Sequence, residues 1–296
     1  MKLTTHRLDI YNESLAKTDF LDSLGKLISE DQLSQESLSQ LPTAFDYIRL
    51  GHPLSCVLEW FLAEEKGLES DHVISFDSLT IPVMSILRKN LFEKKKTRIF
   101  YFNELPTCFD EQSLKNVYSY DLELVSINSL EEISDFNGST VLLINGIELD
   151  TIFSTKADFT ISLNEKLGSV LVASANMGDY ISEIQHVRRR ETIAMTPANC
   201  FDLLKSLTEM EELAPTSKNI AEKKASVFAC VKEVTGADSK VVAASSGLSM
   251  QYAIVMGLID SALEKHPGRD IKIVVPPNCY GGTNDQARRV AALDKN

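Results

Sequence analysis

The chain has few of the residues that build metal centres or disulfide frameworks, and those few are scattered. Its five histidines and five cysteines show neither Cys-x-x-Cys nor His-x-x-x-His spacing. The first spacing is typical of structural zinc sites, and the second places two metal ligands on one face of a helix. The sequence therefore indicates neither a zinc centre nor a disulfide framework, and unpaired thiols suit a reducing cytoplasm.

Basic charge and long apolar runs are also missing. The formal net charge is −12, which argues against a nucleic-acid partner, because such a partner needs a basic face. Two local basic runs, Lys94–Lys96 and Arg188–Arg190, are expected to be solvated. The N-terminus lacks the apolar core of a signal peptide, and no stretch reaches the length of a membrane span. We expect a cytoplasmic protein with no nucleic-acid or membrane partner.

The C-terminal part contains a pattern typical of phosphate binding. A short apolar run, Val241–Ala244, is followed by Ser245-Ser246-Gly247-Leu248 and then by an apolar helical stretch. A small-residue turn between a strand and a helix lets backbone N–H groups approach an anion at the positive end of the helix. By itself Ser-Ser-Gly is more often an ordinary turn, so the pattern gains weight only from a second motif nearer the C-terminus.

An aromatic residue occupies the place where open α/β sheets bind ligands. The apolar run Ile271–Val275 predicts a strand, and Tyr280-Gly281-Gly282-Thr283 comes just after it. Ligands bind at the carboxyl ends of parallel strands. Tyr280 could therefore stack on a flat cofactor whose phosphate lies in the preceding turn.

These two motifs resemble those of the pyridoxal-phosphate enzymes of cysteine and methionine metabolism, such as cystathionine synthases, cystathionine lyases and homoserine sulfhydrylases. The resemblance implies that Ser245, Ser246, Gly247 and Leu248 bind the cofactor phosphate. It also implies that Tyr280 binds the cofactor ring and is catalytic. In that family an Asp and a Schiff-base Lys come later in the chain, so we expect residues 225–296 to be the start of a truncated copy.

An earlier segment repeats the same order of elements. Residues 59–110 and 228–281 both predict helix, glycine, strand, turn, helix, loop and strand. In the first segment Asp77-Ser78-Leu79 stands in place of Ser245-Ser246-Gly247, and Phe109 stands in place of Tyr280. A carboxylate repels phosphate, so we interpret the first segment as a copy that has lost its cofactor.

Two positions in the middle of the chain extend the resemblance. Asn145 ends an apolar strand where the family has the Asp that protonates the pyridine nitrogen. Lys166 stands at the position of the family's Schiff-base lysine. It comes directly after Glu165, whose charge favours the protonated amine. We interpret Lys166 as a relic of the catalytic lysine.

One motif of the first copy retains residue types that can bind phosphate. Tyr47-Ile48-Arg49 resembles the family's Tyr-x-Arg segment, whose side chains reach the cofactor phosphate of a neighbouring subunit. Arg gives a charged, bidentate phosphate contact and Tyr a neutral donor. We therefore hypothesise that Tyr47 and Arg49 complete the site begun by Ser245–Leu248. The alternative is that Arg49 pairs with a surface carboxylate and Tyr47 packs in a seam between domains.

The prediction is an α/β protein with a three-layer, mostly parallel sheet, like the large domain of fold-type-I pyridoxal-phosphate transferases. We divide it into an N-terminal helical arm (1–40), a degenerate domain (41–214, the first unit) and the start of a second domain (215–296, the second unit). The resemblance implies pyridoxal 5'-phosphate as cofactor and an amino-acid substrate. The reaction would be elimination or replacement on a sulfur amino acid or homoserine ester, as in trans-sulfuration and methionine biosynthesis.

Two other functions remain open. The chain could be a non-catalytic pseudoenzyme that completes a partner's cofactor site, or a binder of phosphorylated ligands without Schiff-base chemistry. A homo-oligomer, or a pseudo-dimer formed by the two units within one chain, would fit these readings.

Overall fold

The computed structural model describes residues 15–45, 47–146, 151, 156–208 and 220–293. The ten α-helices of this part of the chain are α1 (Leu15–Ser29), α2 (Gln35–Ser39), α3 (Pro53–Lys66), α4 (Ile81–Glu93), α5 (Glu111–Asn116), α6 (Gly178–Glu191), α7 (Pro197–Leu207), α8 (Ile220–Thr235), α9 (Gly247–Lys265) and α10 (Gly281–Ala291). The strands are β1 (Val73–Phe76), β2 (Thr97–Phe102), β3 (Leu122–Ile127), β4 (Ser139–Asn145), β5 (Phe159–Asn164) and β6 (Gly168–Ala173).

The six strands form one mixed sheet in the order β1-β6-β5-β4-β2-β3. The pairs β2–β3, β2–β4 and β4–β5 are parallel, whereas β6 runs antiparallel to both β5 and β1. The hairpin between β5 and β6 needs Gly168, because its φ is 113° and a Cβ would lie 2.2 Å from the carbonyl oxygen of Phe76. The predicted α/β class with a mostly parallel sheet is confirmed.

Helices cover both faces of the sheet, because alternate side chains of the buried strands point to opposite sides. On one face, Val141 and Ile161 pack with residues of α4 and α6. On the other, Leu142 and Val170 pack with residues of α3 and α7. The two helical layers bury their apolar residues against the sheet between them, which gives the three-layer arrangement that the sequence predicts.

A buried charge cluster lies between α3 and α6. Glu59 accepts hydrogen bonds from Arg188 Nη1 at 2.7 Å and from the backbone N–H of Ser75 at 2.9 Å, and Lys17 of α1 lies 3.5 Å from it. Arg188 is therefore buried, and the expectation that all of Arg188–Arg190 is solvated is wrong. Burial favours the neutral carboxyl, but the two cations outweigh it and lower the pKa of Glu59.

The second unit contributes helices but no strands among its described residues. The predicted strands Val241–Ala244 and Ile271–Val275 are wrong, because neither segment pairs with a strand. Val242 is 67% exposed and Val274 is 91% exposed. Helix α9 instead packs on the first unit through the buried side chains of Tyr252 and Met256.

Other sequence expectations have different outcomes. The proposed boundary between residues 214 and 215 and the first 14 residues lie outside the described residues. The five cysteines are free thiols, and the described residues contain no cluster of three metal-ligating side chains. No helix in the described ranges has the length and apolar character needed to cross a membrane.

Candidate cofactor-phosphate site

One cavity of about 450 Å³ joins residues that are far apart in the sequence. It brings together the Tyr47–Arg49 loop, the start of α9 and the residue before α10; its lining residues are Tyr47, Arg49, Ser246, Gly247, Leu248, Gln251 and Tyr280. Six of these seven were singled out from the sequence. The two units thus meet at a shared cavity, and whether it binds a cofactor remains a prediction.

The wall contributed by α9 is the N-terminal end of a long helix. Ser246 is the N-cap, and its Oγ accepts a hydrogen bond from the N–H of Ser249 at 3.1 Å. The N–H groups of Gly247 and Leu248 open the helix and have no acceptor inside it, because the first turn of any α-helix leaves its amides unpaired. A Cβ at Gly247 would meet nothing within 4 Å, so a ligand can approach the backbone there.

Another part of the cavity lining is a cation that stacks on an aromatic ring. The guanidinium carbon of Arg49 lies 4.6 Å from the ring centroid of Tyr47. Stacking of this kind restricts the side chain of an arginine without neutralising its charge. Arg49 therefore presents a fixed positive charge to the cavity that also contains the positive end of α9.

Tyr280 and Gln251 complete the cavity. Tyr280 is 63% exposed, so a face of its ring is free to stack on a ligand. Gln251 lies one turn after Gly247, and its Oε1 accepts a hydrogen bond from the hydroxyl of Thr283 at 2.8 Å. Its amide NH₂ keeps donors for another partner. The sequence motif did not include Gln251; its i, i+4 spacing from Gly247 is the signal that places it on the same helix face.

Two predicted site residues do not line this cavity. The Oγ of Ser245 lies 3.2 Å from the Oγ of Ser249. Lys166 is exposed and lines a different cavity of about 650 Å³ with Asn145, Cys108 and Glu165. The structure thus brings Lys166 and Asn145 together, as the resemblance implies for the first copy, but it separates both from the phosphate motif.

The corresponding turn of the first unit is closed to an anion. The hydroxyl of Ser78 accepts hydrogen bonds from the N–H groups of Thr80 at 3.3 Å and Ile81 at 3.2 Å. Pro82, in the first turn of α4, has no N–H to offer. Burial also raises the pKa of the Asp77 carboxyl, because a negative charge is poorly solvated at this partly buried position.

The aromatic position of the first unit is also closed to a ligand. Phe109, which stands where the second unit has Tyr280, is buried in the core beside the sheet. A buried ring has no free face for a ligand. The groups that could contact an anion and a flat ring therefore line the cavity that the two units share.

Comparison with known proteins adds fold-level neighbours only. No protein-family model and no curated protein matches the chain. Among solved structures, a proposed L-allo-threonine aldolase from Listeria monocytogenes is 15% identical, with 75% of each chain covered and a TM-score of 0.39. MetB from Corynebacterium glutamicum is 13% identical, with 60% of this chain and 57% of that chain covered and a TM-score of 0.36.

A third neighbour matches over nearly the whole length of both chains. The 8-amino-7-oxononanoate synthase from Francisella tularensis is 11% identical, with 95% of this chain and 94% of that chain covered and a TM-score of 0.38. Each TM-score lies below 0.5, so these likenesses define neither the family nor the function of the chain.

Proposed function

We propose that this chain binds pyridoxal 5'-phosphate in the cavity shared by its two units. The observation that carries the proposal is that Arg49, the opening turn of α9 and Tyr280 line one cavity. A guanidinium, unpaired amides at a helix N-terminus and an exposed aromatic ring are the groups that recognise a phosphate joined to a flat heterocycle.

The residues present fit the phosphate and the ring of that cofactor. Among the described residues, the cavity lining contains one cation and no carboxylate, and the backbone at Gly247 is open to a ligand. Arg49 and the N–H groups of Gly247 and Leu248 would hold the phosphate, with the phenol of Tyr47 as a further donor. Tyr280 would orient the ring by stacking, and Gln251 would donate an amide hydrogen bond.

The activity we propose is elimination or replacement on a sulfur amino acid or homoserine ester, within trans-sulfuration. Pyridoxal phosphate supplies the electron sink that such reactions require. In this chain Tyr47, Arg49 and the start of α9 would fix the cofactor, and Tyr280 would be placed to hold or move a proton with its phenol oxygen.

A second candidate function is favoured by the position of Lys166. A Schiff-base lysine must reach the aldehyde of the bound cofactor, yet Lys166 lines the other cavity and no described lysine is among the residues around the shared one. The chain would then be a non-catalytic partner that supplies the phosphate side of a site whose lysine comes from a homologous polypeptide.

Titration with pyridoxal phosphate tests the binding proposal. We expect the wild-type chain to bind the cofactor and Arg49→Ala to weaken binding about tenfold or more, because a charge-assisted contact to phosphate is lost. Arg98→Ala is a matched control, since Arg98 also lies over an aromatic ring, that of Phe136 at 4.2 Å, but in another part of the fold. Equal affinities for all three proteins would refute the proposal.

Trapping with borohydride separates the two candidate functions. The reagent links cofactor to protein only where a lysine forms an imine with it. Labelling of wild type that is lost in Lys166→Met would support catalysis through Lys166. Tight cofactor binding without any label would support the non-catalytic partner, and labelling at scattered surface lysines would support neither.

A further inference from the structure

The side chain of His52 bridges two parts of the first unit. Its Nδ1 accepts a hydrogen bond from the N–H of Ser55 at 3.1 Å, at the start of α3. Nδ1 is therefore unprotonated, and Nε2 carries the hydrogen that is donated to the carbonyl oxygen of Met195 at 2.7 Å. The imidazole is buried, and both of its nitrogens are engaged.

The loop that carries Arg49 is attached to the same segment. The carbonyl oxygen of Arg49 accepts a hydrogen bond from the N–H of Ala194 at 3.2 Å. Ala194 and Met195 are consecutive and buried, so Arg49 and His52 hold adjacent residues of one segment between α6 and α7. Within the loop, the N–H of Leu50 donates to the carbonyl oxygen of Tyr47 at 2.8 Å.

The far end of the loop is fixed by close packing. A Cβ at Gly51 would lie 2.4 Å from the ring of Phe45 and 3.0 Å from the Oγ of Ser55. The backbone at Gly51 therefore passes directly over a buried ring. The packing of Gly51 on Phe45 and the hydrogen bond from Ala194 to Arg49 therefore restrain the loop, which continues directly into His52.

We infer that His52 is a positioning residue, which holds the Tyr47–Arg49 loop so that Arg49 faces the shared cavity. This inference rests on the proposed function, because it assigns the role of Arg49 to phosphate binding. A flexible arginine loses side-chain and backbone entropy when it binds an anion, and a loop that is already ordered loses less. His52 acts through this order and does not itself touch the ligand.

The protonation state of the imidazole agrees with that role. Desolvation lowers the pKa of His52 and outweighs two opposing effects, the hydrogen bond to Met195 and the charge of Glu59, which raise it; the nearby Arg188 of α6 adds a smaller lowering. The neutral ring is the form that can accept from Ser55 and donate to Met195 at the same time. A charged imidazolium would lose the bond from Ser55.

His52→Asn separates helix capping from loop positioning. Asn is a strong N-cap residue, so it replaces the bond to Ser55, but its shorter side chain does not reach Met195. The matched control is Ser34→Ala, which removes the capping side chain of α2, where a similar reciprocal pair with Ser37 is exposed and remote. Each variant is compared with wild type as the full chain.

The first measurement is hydrogen exchange of residues 47–51 in the ligand-free chain. We expect exchange of this loop to rise in His52→Asn and to stay at the wild-type level in Ser34→Ala. Unchanged exchange in His52→Asn would overturn the positioning role, whether or not the chain binds pyridoxal phosphate. This readout therefore separates a failure of the inference from a failure of the proposed function.

The second measurement is a double-mutant cycle on pyridoxal phosphate affinity. We expect His52→Asn to weaken binding about tenfold in the wild-type background and less than about twofold in the Arg49→Ala background, because the effect passes through Arg49. Equal losses in both backgrounds would overturn the inference. Wild-type affinity in His52→Asn would show that capping is the only role of His52, and would overturn it as well.

Discussion

Arg88 of α4 donates a hydrogen bond from Nη2 to the hydroxyl of Tyr252 of α9 at 3.0 Å, and this bond ties the second unit to the first. Arg88 is almost fully buried and also pairs with Glu191 of α6. A second cation, Arg289 of α10, reaches Glu183 of α6 at 2.7 Å. The bond from Arg88 to Tyr252 and the pair between Arg289 and Glu183 therefore help to hold α9 and α10 against the first unit, and with them the cavity at the N-terminus of α9.

Tyr252→Phe is expected to lower the free energy of unfolding by about 1.5 kcal/mol, because the substitution removes a buried hydrogen bond to a charged donor. Denaturant unfolding followed by circular dichroism measures the change. Tyr280→Phe is the comparison, since the side chain of Tyr280 is 63% exposed, and its effect should stay within about 0.5 kcal/mol. Equal stability losses in the two variants would contradict the role of the Arg88–Tyr252 bond.

Gly247→Ala is expected to raise stability while it weakens cofactor binding. A Cβ at Gly247 meets no protein atom, and Ala is favoured over Gly by about 0.5–1 kcal/mol inside a helix, which is the upper bound for the gain at this first helical position. The same Cβ occupies the space through which a phosphate would approach the backbone. Thermal unfolding and pyridoxal phosphate titration measure the two effects.

Gly257→Ala is the control for that pair of effects. Gly257 lies in the middle of α9, and a Cβ there also meets nothing within 4 Å. We expect a similar gain in stability with wild-type affinity. Reduced affinity in Gly257→Ala would mean that helix rigidity, and not access to the backbone, governs binding.

Stability is expected to fall as the solution is acidified through the titration of His186. This side chain of α6 lies 3.6 Å from Asp285 of α10, and burial together with Arg289 lowers its pKa from the ordinary value of 6.5. As the pH falls, the imidazole of the unfolded chain therefore takes up its proton before the imidazole of the folded chain does. The contribution of the neutral imidazole to the free energy of unfolding is complete above pH 6.5 and is lost as the pH falls through the folded-state pKa.

His186→Gln checks that pH dependence. The variant should show a flatter profile of unfolding free energy below pH 6.5 than wild type does. His266→Gln is a suitable comparison, because His266 is exposed at the end of α9. An identical slope in His186→Gln and wild type would assign the acid sensitivity to other groups, of which His52 is the next to test.

Asp77→Asn is expected to stabilise the chain at neutral pH. Burial raises the pKa of Asp77, so the native state retains a proton that the unfolded state has released. The charged carboxylate thus lowers the free energy of unfolding, by an amount that grows as the pH rises from 3.8 through the folded-state pKa. The uncharged amide of the variant removes this loss. Melting temperatures at pH 7 and pH 4 measure it: the variant should gain at pH 7 and gain little at pH 4, whereas a constant difference would contradict this origin.

The sequence predicts the first unit well because its signals are local. Strands such as Thr97–Phe102 and Ser139–Asn145 are runs of apolar and β-branched residues, and α3 begins at a proline and is followed by Gly67 as its C-cap. Buried strands and capped helices carry their own pattern. The Tyr47–Arg49 loop and the Ser246–Leu248 turn line one cavity, as the hypothesis of complementation requires.

The failures concern interactions between distant residues. Ile271–Val275 has the composition of a strand, but a strand exists only when its backbone groups pair with a neighbour, and composition does not identify one. Arg188 is part of a basic run, yet its position in the fold buries it against Glu59, far away in the sequence. The location of Lys166 in a separate cavity also depends on how the strands are ordered in the sheet.

The hydrogen bonds that Ser78 accepts at the start of α4 have a consequence for engineering. For an anion to bind at this turn, the carboxylate of Asp77 and the competing hydroxyl of Ser78 would have to be removed, and Pro82 would have to be replaced by a residue with a backbone N–H. Any single one of these substitutions leaves the other two obstacles in place. Redesign of ligand binding is therefore better directed at the shared cavity, where the backbone at Gly247 is open.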